Sequence, residues 1–561
     1  MSEKKLPQVA YFCMEFGLHE DFRIYSGGLG ILAGDILKAA KDGNYPMIGV
    51  GILWRQGYTN QFIQDGKVTD SYPEYNYDFL KDTGVVVGVN IRGRWVHCKV
   101  WECNQYDNVT LYLLDANLPE NSDRLITGQL YGWFSEERIA QEMILGIGGL
   151  RALRTLGIYP DVYHFNDSHP VIAGVEMMRI KMLEGMDFDS AWQSTREQIV
   201  FTTHTPIMAG NEVHQHQLLQ YMGAYNSLSY EQMVRLGGDP FSMTVAGLRL
   251  SRKANAVAQL HGETARDMWR GVAGASEIIA ITNGVHNGTW QDSRLVKAYE
   301  TGSDLWEPHQ AAKRELIEAI AKRNGVKLDE NVLTIGFARR AAPYKRGDLI
   351  FRRPEIIEPL LRDGKLQLIF SGKAHPNDLN GKGIIAHLYD MAQRFPGRVV
   401  FIQNYDMKIG KLLTRGCDVW LNNPVRPMEA SGTSGMKAAM NGVLNFSVLD
   451  GWWPEGCQHG VTGWQIGDGN YHDNQDMADA DALYFVLGNT IIPTYYENRA
   501  HWVAMMRASI AMSVWNFSAA RMVQEYYQRM YLTEDQVNEM QLPEFLAHFA
   551  MQNGHGLPLE M

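Results

Sequence analysis

Asp161-Val-Tyr-His-Phe165, then Pro170 leading an apolar-periodic segment to about Gly185, then Ile199-Val-Phe-Thr-Thr203: this stretch decides the fold. The two flanking runs are short, apolar and bounded by polar turns, which reads as buried strand. Pro170 suits the first position of the intervening helix, where a missing N–H costs nothing. Strand, helix, strand with short links is the unit of a parallel sheet. Upstream, Ser135 to Gly157 reads as another helix. Ile139, Met143, Ile147 and Leu150 share a face, Glu136 and Glu137 favour the first turn, and Gly157 suits the end.

Working outward, the later half repeats the style. Strands are expected at Val332–Ala338, Leu366–Ser371, Val399–Gln403, Val419–Asn422 and Val443–Val448. Unusual residues follow them directly: Arg339-Arg340, Gly372-Lys373 and Asn404-Tyr405. Ligands of open parallel sheets bind outside the carboxyl ends of the strands. The expected fold is therefore α/β, with two Rossmann-like doubly wound domains facing across a cleft. Residues 291–325 read as a charged helical link. From about Tyr495 to Tyr531 the chain reads as helical, with Ser518 as N-cap and Met522, Val523, Tyr526, Tyr527 and Met530 as an apolar packing stripe.

Composition narrows the class. The chain has 561 residues and a formal net charge of −11. Its 26 Tyr, 20 Phe and 14 Trp are too much aromatic surface to leave in water, which excludes large-scale disorder. The acidic balance speaks against an extended nucleic-acid surface. Five cysteines without a CxxC make neither a disulfide framework nor a structural zinc site; Cys98 and Cys103 alternate like strand residues. No apolar run is long enough to span a membrane. The start, MSEKKLPQVAYF, has no apolar signal-peptide core, so a cytoplasmic protein is expected.

The densest chemical signal is Glu429-Ala-Ser-Gly-Thr-Ser-Gly-Met-Lys437, a Gly-rich polar loop running into a helix. Such a loop turns backbone N–H groups toward an anion, and Lys437, four residues after Thr433, would overhang it. The lysine is then a counter-charge or a Schiff-base amine for pyridoxal phosphate; the alternative is a plain strand–helix turn. Tyr25-Ser-Gly-Gly-Leu-Gly30 is a second turn of this kind, weak alone. Phe337 to Arg346 puts four cations in eight residues, either an anion pocket or a solvated face. Asn166-Asp-Ser-His-Pro170 and Thr202-Thr-His-Thr-Pro206 each bring a histidine past a strand, at the cleft or as a structural hydrogen-bonding group. His214 and His216 lack an evident third metal ligand, so no metal is expected. Asn283, in ITNGVHNGTW, suits a sugar hydroxyl. Lys373-Ala-His-Pro376 is a further cleft candidate, and Trp452-Trp453 is either core or a shield over a sugar ring. GxSxG, Walker A, HExxH and dinucleotide fingerprints are missing.

Together YFCMEFGL, YSGGLGILAGD, HFNDSHP, FTTHTP, ITNGVH, FARRAAPYKR, GKAHPND, WLNNPVRPMEASGTSGMKAAMNG and SVLDGWWPEG resemble the α-glucan (glycogen/maltodextrin/starch) phosphorylases, most of all their short bacterial and archaeal branch. The matches run in order from about Tyr11 to Tyr531. The resemblance implies a glycosyltransferase-B fold with a C-terminal helix crossing back. It implies reversible phosphorolysis of terminal α-1,4-linked glucose by orthophosphate to glucose 1-phosphate, with retention, dependent on the phosphate of pyridoxal 5'-phosphate. It divides the chain into 1–290 (glucan and phosphate side), 291–490 (cofactor and glucosyl side) and 491–561 (returning helices).

Residue by residue, the resemblance makes Lys437 the Schiff-base lysine and Thr433 and Ser434 backbone donors to the cofactor phosphate. Arg339 stands where the long branch often has a cofactor-contacting lysine, and Tyr405 matches a cofactor neighbour. Arg340 and Lys345 match substrate-phosphate ligands, with Gly27 and Gly28 supplying the turn whose N–H joins them. Glu429, Ser431, Gly432, Asn283 and Tyr344 match sugar contacts. His204 matches the residue beside the glucosyl unit, and Asp167 and His169 match the pocket pair of the family's NDxHP motif. The catalytic set is thus Lys437, Arg340, Lys345, His204 and Glu429. Two neighbouring phosphates repel unless Arg339, Arg340, Lys345 and helix N-termini offset them and a proton is shared.

Gly17 departs from the family, standing where the long branch places a tyrosine near the cofactor ring. The chain opens almost at the first motif, so neither phosphorylation nor nucleotide control is expected, and a homodimer is left open. The rival enzyme reading is a nucleotide-sugar-dependent glucan synthase of the same fold class, with pyrophosphate at the helix after Glu429. A non-catalytic carbohydrate-binding protein is a third class, disfavoured by the intact set Lys437, Arg340, Lys345 and Glu429.

Overall fold

The computed structural model describes residues 5–132, 135–533 and 536–537. Two open sheets, each with its own apolar core, carry the molecule. In the first, Val9–Phe12 lies between Met47–Ile52 and Val162–Asn166, all parallel. The order continues through Leu111–Asp115 on one side and through Ile199–Thr202, Lys253–Ala256 and Ile278–Ala280 on the other. The direction in which successive strands are added reverses between Val9–Phe12 and Val162–Asn166. The parallel strands are buried on both faces, which is why their sequences run apolar instead of alternating. Arg94–Cys103 and Lys81–Ile91 extend this sheet antiparallel; their turn, Arg92-Gly93, takes positive φ at both residues, the two-residue hairpin geometry that suits strand twist.

The second sheet is wholly parallel, in the order Val399–Ile402, Gln367–Ser371, Thr334–Ala338, Val419–Asn422, Leu444–Val448, Gly463–Ile466. Its reversal falls between Thr334–Ala338 and Val419–Asn422. The expected strands are found within a residue or two, and both sheets are doubly wound, as expected. Ser135–Thr155 is helical throughout, with π-wound turns at Ile144–Gly148. The helix after Pro170 begins at Ile172, two residues later than expected: residues 169–171 form a turn in which the Ala173 N–H already bonds the Pro170 carbonyl at 2.8 Å.

Three connections fix the sheets against each other. Asn60–Gln64 and Lys67–Ser71 form a hairpin that leaves the first half and lies on the second. The Gln61 side chain accepts from the Ala374 N–H at 2.9 Å and donates to the Ala374 carbonyl at 3.1 Å, while Lys382 pairs with Asp70 at 2.6 Å. An interdomain apolar cluster joins Tyr25, Ile31, Val285, Trp290, Met436, Trp452, Trp453 and Phe517. Trp452 and Trp453 are fully buried there, so they are core and shield no ligand. Finally, helix Arg499–Ser513 packs on the second core through Trp502, Met506 and Ile510, and the chain then returns to the first. Ser518 caps Ala519–Tyr526, and Met522, Val523, Tyr526, Tyr527 and Met530 enter the first core as the stripe predicts. Residues 538–561, the end of the expected 491–561 segment, lie outside the described residues. All five cysteines are free, and no described helix is long and apolar enough to cross a membrane.

Candidate active site

The carboxyl ends flanking each reversal carry most of the predicted site residues. After Thr334–Ala338, Arg339 is buried and donates to Glu429 Oε2 at 2.6 Å. Lys345 reaches the same oxygen at 3.1 Å. Glu429 arrives from the loop beyond Val419–Asn422, so two cations from one strand end meet one carboxylate from its neighbour. Burial raises a carboxyl's pKa, but Arg339 and Lys345 outweigh it and hold Glu429 below the ordinary range. Lys345 is pulled down to about 7, first by burial and then by Arg339, with Glu429 opposing. Arg340 stays exposed at the same end, close enough to Tyr344 and Lys345 to perturb both. Two cations thus share one carboxylate, with the exposed Arg340 beside them. Such a cluster calls for an anion.

The Gly-rich loop folds as expected. Ser434–Ala439 is helical with Thr433 as its cap residue. Gly432 takes φ +78° and lies against Arg339 and Glu429; a Cβ there would sit 3.2 Å from Arg339 Nη2 and 3.5 Å from Glu429 Cδ. Ser431 is buried with its hydroxyl unpartnered, as are Arg339 Nη1 and Asn283 Oδ1. Ser434 accepts from the Trp420 indole at 3.1 Å, which fixes its hydroxyl oxygen and leaves the O–H and the backbone N–H able to donate to an anion. Lys437 is buried, with its amine 3.7 Å from the centroid of the Trp290 ring. Burial pulls that amine down to about 8, Asp35 opposing. Tyr405 stands beside Trp290: a Cβ on Gly410 would lie 2.6 Å from Tyr405 Oη and 3.8 Å from Trp290 Cζ3. Arg339 also bears on Tyr405 electrostatically, which links the cation cluster to the Lys437 corner.

The first sheet's reversal presents a different surface. Glu15, just past Val9–Phe12, accepts from the N–H groups of Ser26 at 2.6 Å and Gly27 at 3.2 Å, and from Tyr131 Oη at 3.0 Å. It thereby fixes the turn before the Gly28–Asp42 helix. A Cβ on Gly27 or Gly28 would meet nothing within 4 Å. The glycines leave the helix N-terminus open to close approach by a ligand. His204 Nε2 bonds Asn166 Oδ1 at 2.6 Å, and burial lowers the histidine's pKa. Asp167 adopts φ +70°. His169 is buried against Tyr131 with Nδ1 unpartnered.

Other candidates resolve individually. His216 bonds Tyr225 and the Gly238 carbonyl and is structural. His214 instead meets Glu142 at 3.0 Å, and these two with Glu212 form a group with ligand atoms within 4.8 Å of one another. Arg138 pairs with Glu212 at 3.0 Å. Lys373 donates to the Thr59 carbonyl at 2.8 Å and His375 contacts the Tyr131 carbonyl at 3.1 Å, so KAHP serves the junction between the halves. A side chain at position 17 is excluded, because its Cβ would sit 2.6 Å from Ile31 Cδ1. Trp290 supplies the aromatic surface near Lys437 instead. Sequence reasoning missed Trp290, Asp35, Tyr131 and Asp450. Asp450 accepts the Glu429 N–H at 2.9 Å, and burial pushes it up to about 7. A carboxylate inside an apolar helix (Asp35) and one before a glycine turn (Asp450) were the available signals.

The residues fit pyridoxal phosphate: a buried amine over an aromatic ring, an open helix N-terminus, and buried polar atoms without partners beside a cation cluster. Two doubly wound sheets with ligand groups at both reversals define a two-domain transferase of the glycosyltransferase-B type. A carbohydrate phosphorylase family model matches residues 157–225 and 293–455. The chain is 40% identical to a maltodextrin phosphorylase of Thermococcus litoralis, covering 93% of this chain and 70% of that one. It is 35% identical to a glycogen phosphorylase of Aquifex aeolicus, over 93% and 86%, and 37% identical to one of Mycobacterium bovis, over 93% and 70%. The protein belongs to the carbohydrate phosphorylase family.

Proposed function

We propose that the protein is an α-1,4-glucan phosphorylase, using orthophosphate to release terminal glucose as glucose 1-phosphate, reversibly and with retention. The observation that carries this is the convergence of Arg339, Arg340 and Lys345 near Glu429, beside a Gly-rich loop that leads to the buried Lys437 amine. In the forward reaction the C1–O4 bond of the terminal sugar breaks and a C1–O bond to phosphate forms. The proton on the incoming phosphate passes to the departing O4. Bound on Lys437, pyridoxal phosphate supplies a second phosphate that exchanges a proton with the first.

The chain's residues hold these groups. Arg340 and Lys345 bind the substrate phosphate, with the open turn at Gly27-Gly28 across the cleft. Arg339 and the backbone of Thr433 and Ser434 face the cofactor phosphate. An arriving anion gives Arg339 and Lys345 a second partner, which leaves Glu429 free to accept a sugar hydroxyl along with Ser431, Gly432 and Asn283. His204, oriented by Asn166 and kept neutral by burial, stands beside the sugar; Asp167, His169 and Tyr344 are assigned to the same sugar. Positive charge at the ring in the transition state is stabilised by the phosphate dianion held against it. Residues 1–290 and 291–490 are assigned as the two lobes; in the 491–561 segment Arg499–Ser513 stays on the second lobe and residues 519–531 return to the first. The unpaired cysteines, four of the five buried, suit a reducing cytoplasm.

The test is release of glucose 1-phosphate from maltodextrin and orthophosphate by cofactor-loaded protein, with borohydride fixing the cofactor on Lys437. Consumption of a nucleotide-glucose donor without phosphorolysis would make the protein a synthase.

A further inference from the structure

Lys437 does not stand alone in its corner. Asp35 sits two turns into the Gly28–Asp42 helix and is 1% exposed. Its carboxylate accepts from Trp290 Nε1 at 2.8 Å and 3.1 Å, and from the His286 N–H at 3.1 Å. The ring it holds is the one beneath the Lys437 amine. Asn441 fastens the same corner from the other side, donating to the carbonyls of Trp290 at 3.1 Å and Lys437 at 2.9 Å. One helix of the first half therefore presents its open N-terminus to the cleft and, seven residues on, a buried carboxylate to the lysine of the second half.

We propose that Asp35 is a positioning residue for the Lys437 amine, anchoring the Trp290 ring on which the amine rests and supplying the anionic field that sets when it is free to condense with an aldehyde. This rests on the reading of Lys437 as the cofactor amine. The charged groups facing Asp35 are Lys437 from the Ser434–Ala439 helix, His286 from the junction turn and Lys38 from its own helix. Lys38 already donates to the Leu18 carbonyl at 2.8 Å and to Thr289 at 3.1 Å. The His286 ring is engaged by Thr289 and Asp42. Lys437 is the cation left to Asp35. Burial raises Asp35 and the lysine opposes that rise, while Asp35 in turn opposes the fall of the lysine. The two effects are those of opposite charges facing one another out of water.

The experiment compares uptake of pyridoxal 5'-phosphate by the cofactor-stripped full chain across pH, read by the absorbance of the bound chromophore and by mapping of the borohydride-fixed adduct. Asp35→Asn keeps an oxygen for the indole and loses the charge. Its uptake midpoint is expected to fall by about one pH unit, a tenfold change in the amine's acid constant. Asp35→Glu restores the charge and is expected to bring the midpoint back. If the asparagine variant does not fold, Asp35→Ser, smaller and still an acceptor, is expected to give the same fall. An unchanged midpoint in a folded, charge-free variant overturns this inference and leaves the phosphorylase reading standing. Failure of the unmodified chain to take up the compound at any pH overturns both.

Discussion

The two chain reversals are built alike and do different things. At the first sheet's reversal most groups are mutually satisfied, His204 on Asn166, Glu15 on the Ser26 and Gly27 amides and Tyr131 on Glu15, with His169 Nδ1 left unpartnered. At the second they are charged and only partly satisfied, with Arg339 and Lys345 sharing one oxygen of Glu429 and Arg340 exposed beside them. The topology makes a crevice in both places. Side-chain charge then distinguishes the two crevices, and the proposed function draws on the cations of the second for phosphate.

The hardest blow to that division falls on the amine near its centre. Lys437→Ala is expected to lower phosphorolysis by about a thousandfold or more, since the group that tethers the cofactor is lost outright; residual activity near the unmodified level would remove Lys437 from its role. Arg340→Ala is expected to raise the phosphate KM about 10- to 100-fold, the scale of a charge-assisted hydrogen bond, with the maltodextrin KM little changed. Were the glucan term to move alone, the assignment of phosphate to this end would be wrong. At the first reversal, Asn166→Ala releases His204 and is expected to weaken glucan use about fivefold to tenfold, leaving phosphate use nearly intact.

The charged end also makes a prediction about protons. With Lys345 at about 7 before an anion arrives, most of it is neutral at pH 8 and most is charged at pH 6. A bound anion favours the ammonium, so binding of sulfate, which does not itself titrate in this range, should take up a proton at pH 8 and very little at pH 6. Calorimetry in two buffers of different ionisation enthalpy reads this, and Lys345→Met should abolish the uptake. The last effect, read in stability and not in turnover, is expected at the hairpin. Asp70→Ala breaks the pair with Lys382 and leaves Thr59 Oγ1 and Gln61 Nε2 without this acceptor, and should cost about 1–3 kcal/mol.

Much of this site was legible in the chain before folding. Short apolar runs can only be buried parallel strands, and their polar successors can only lie at one end of the sheet. That places Arg339, Arg340, Asp167 and His169, and the Gly-rich loop adds Glu429 and Lys437. The Asp65-Gly66 turn, with both residues at positive φ, was a readable hairpin signal. What the hairpin would lie on was not readable, because its partners Ala374 and Lys382 are about 310 residues distant in sequence.

Sequence by itself determined the two doubly wound sheets and the residue types at their carboxyl ends, since periodicity and turn chemistry act over a few neighbouring residues. Tertiary structure alone decided that Glu429 serves Arg339 and Lys345, that Trp452 and Trp453 are core, and that Asp35 reaches Trp290 below Lys437. Those pairings join segments far apart along the chain, and they form only when burial excludes water and leaves each polar group to find its partner across the fold.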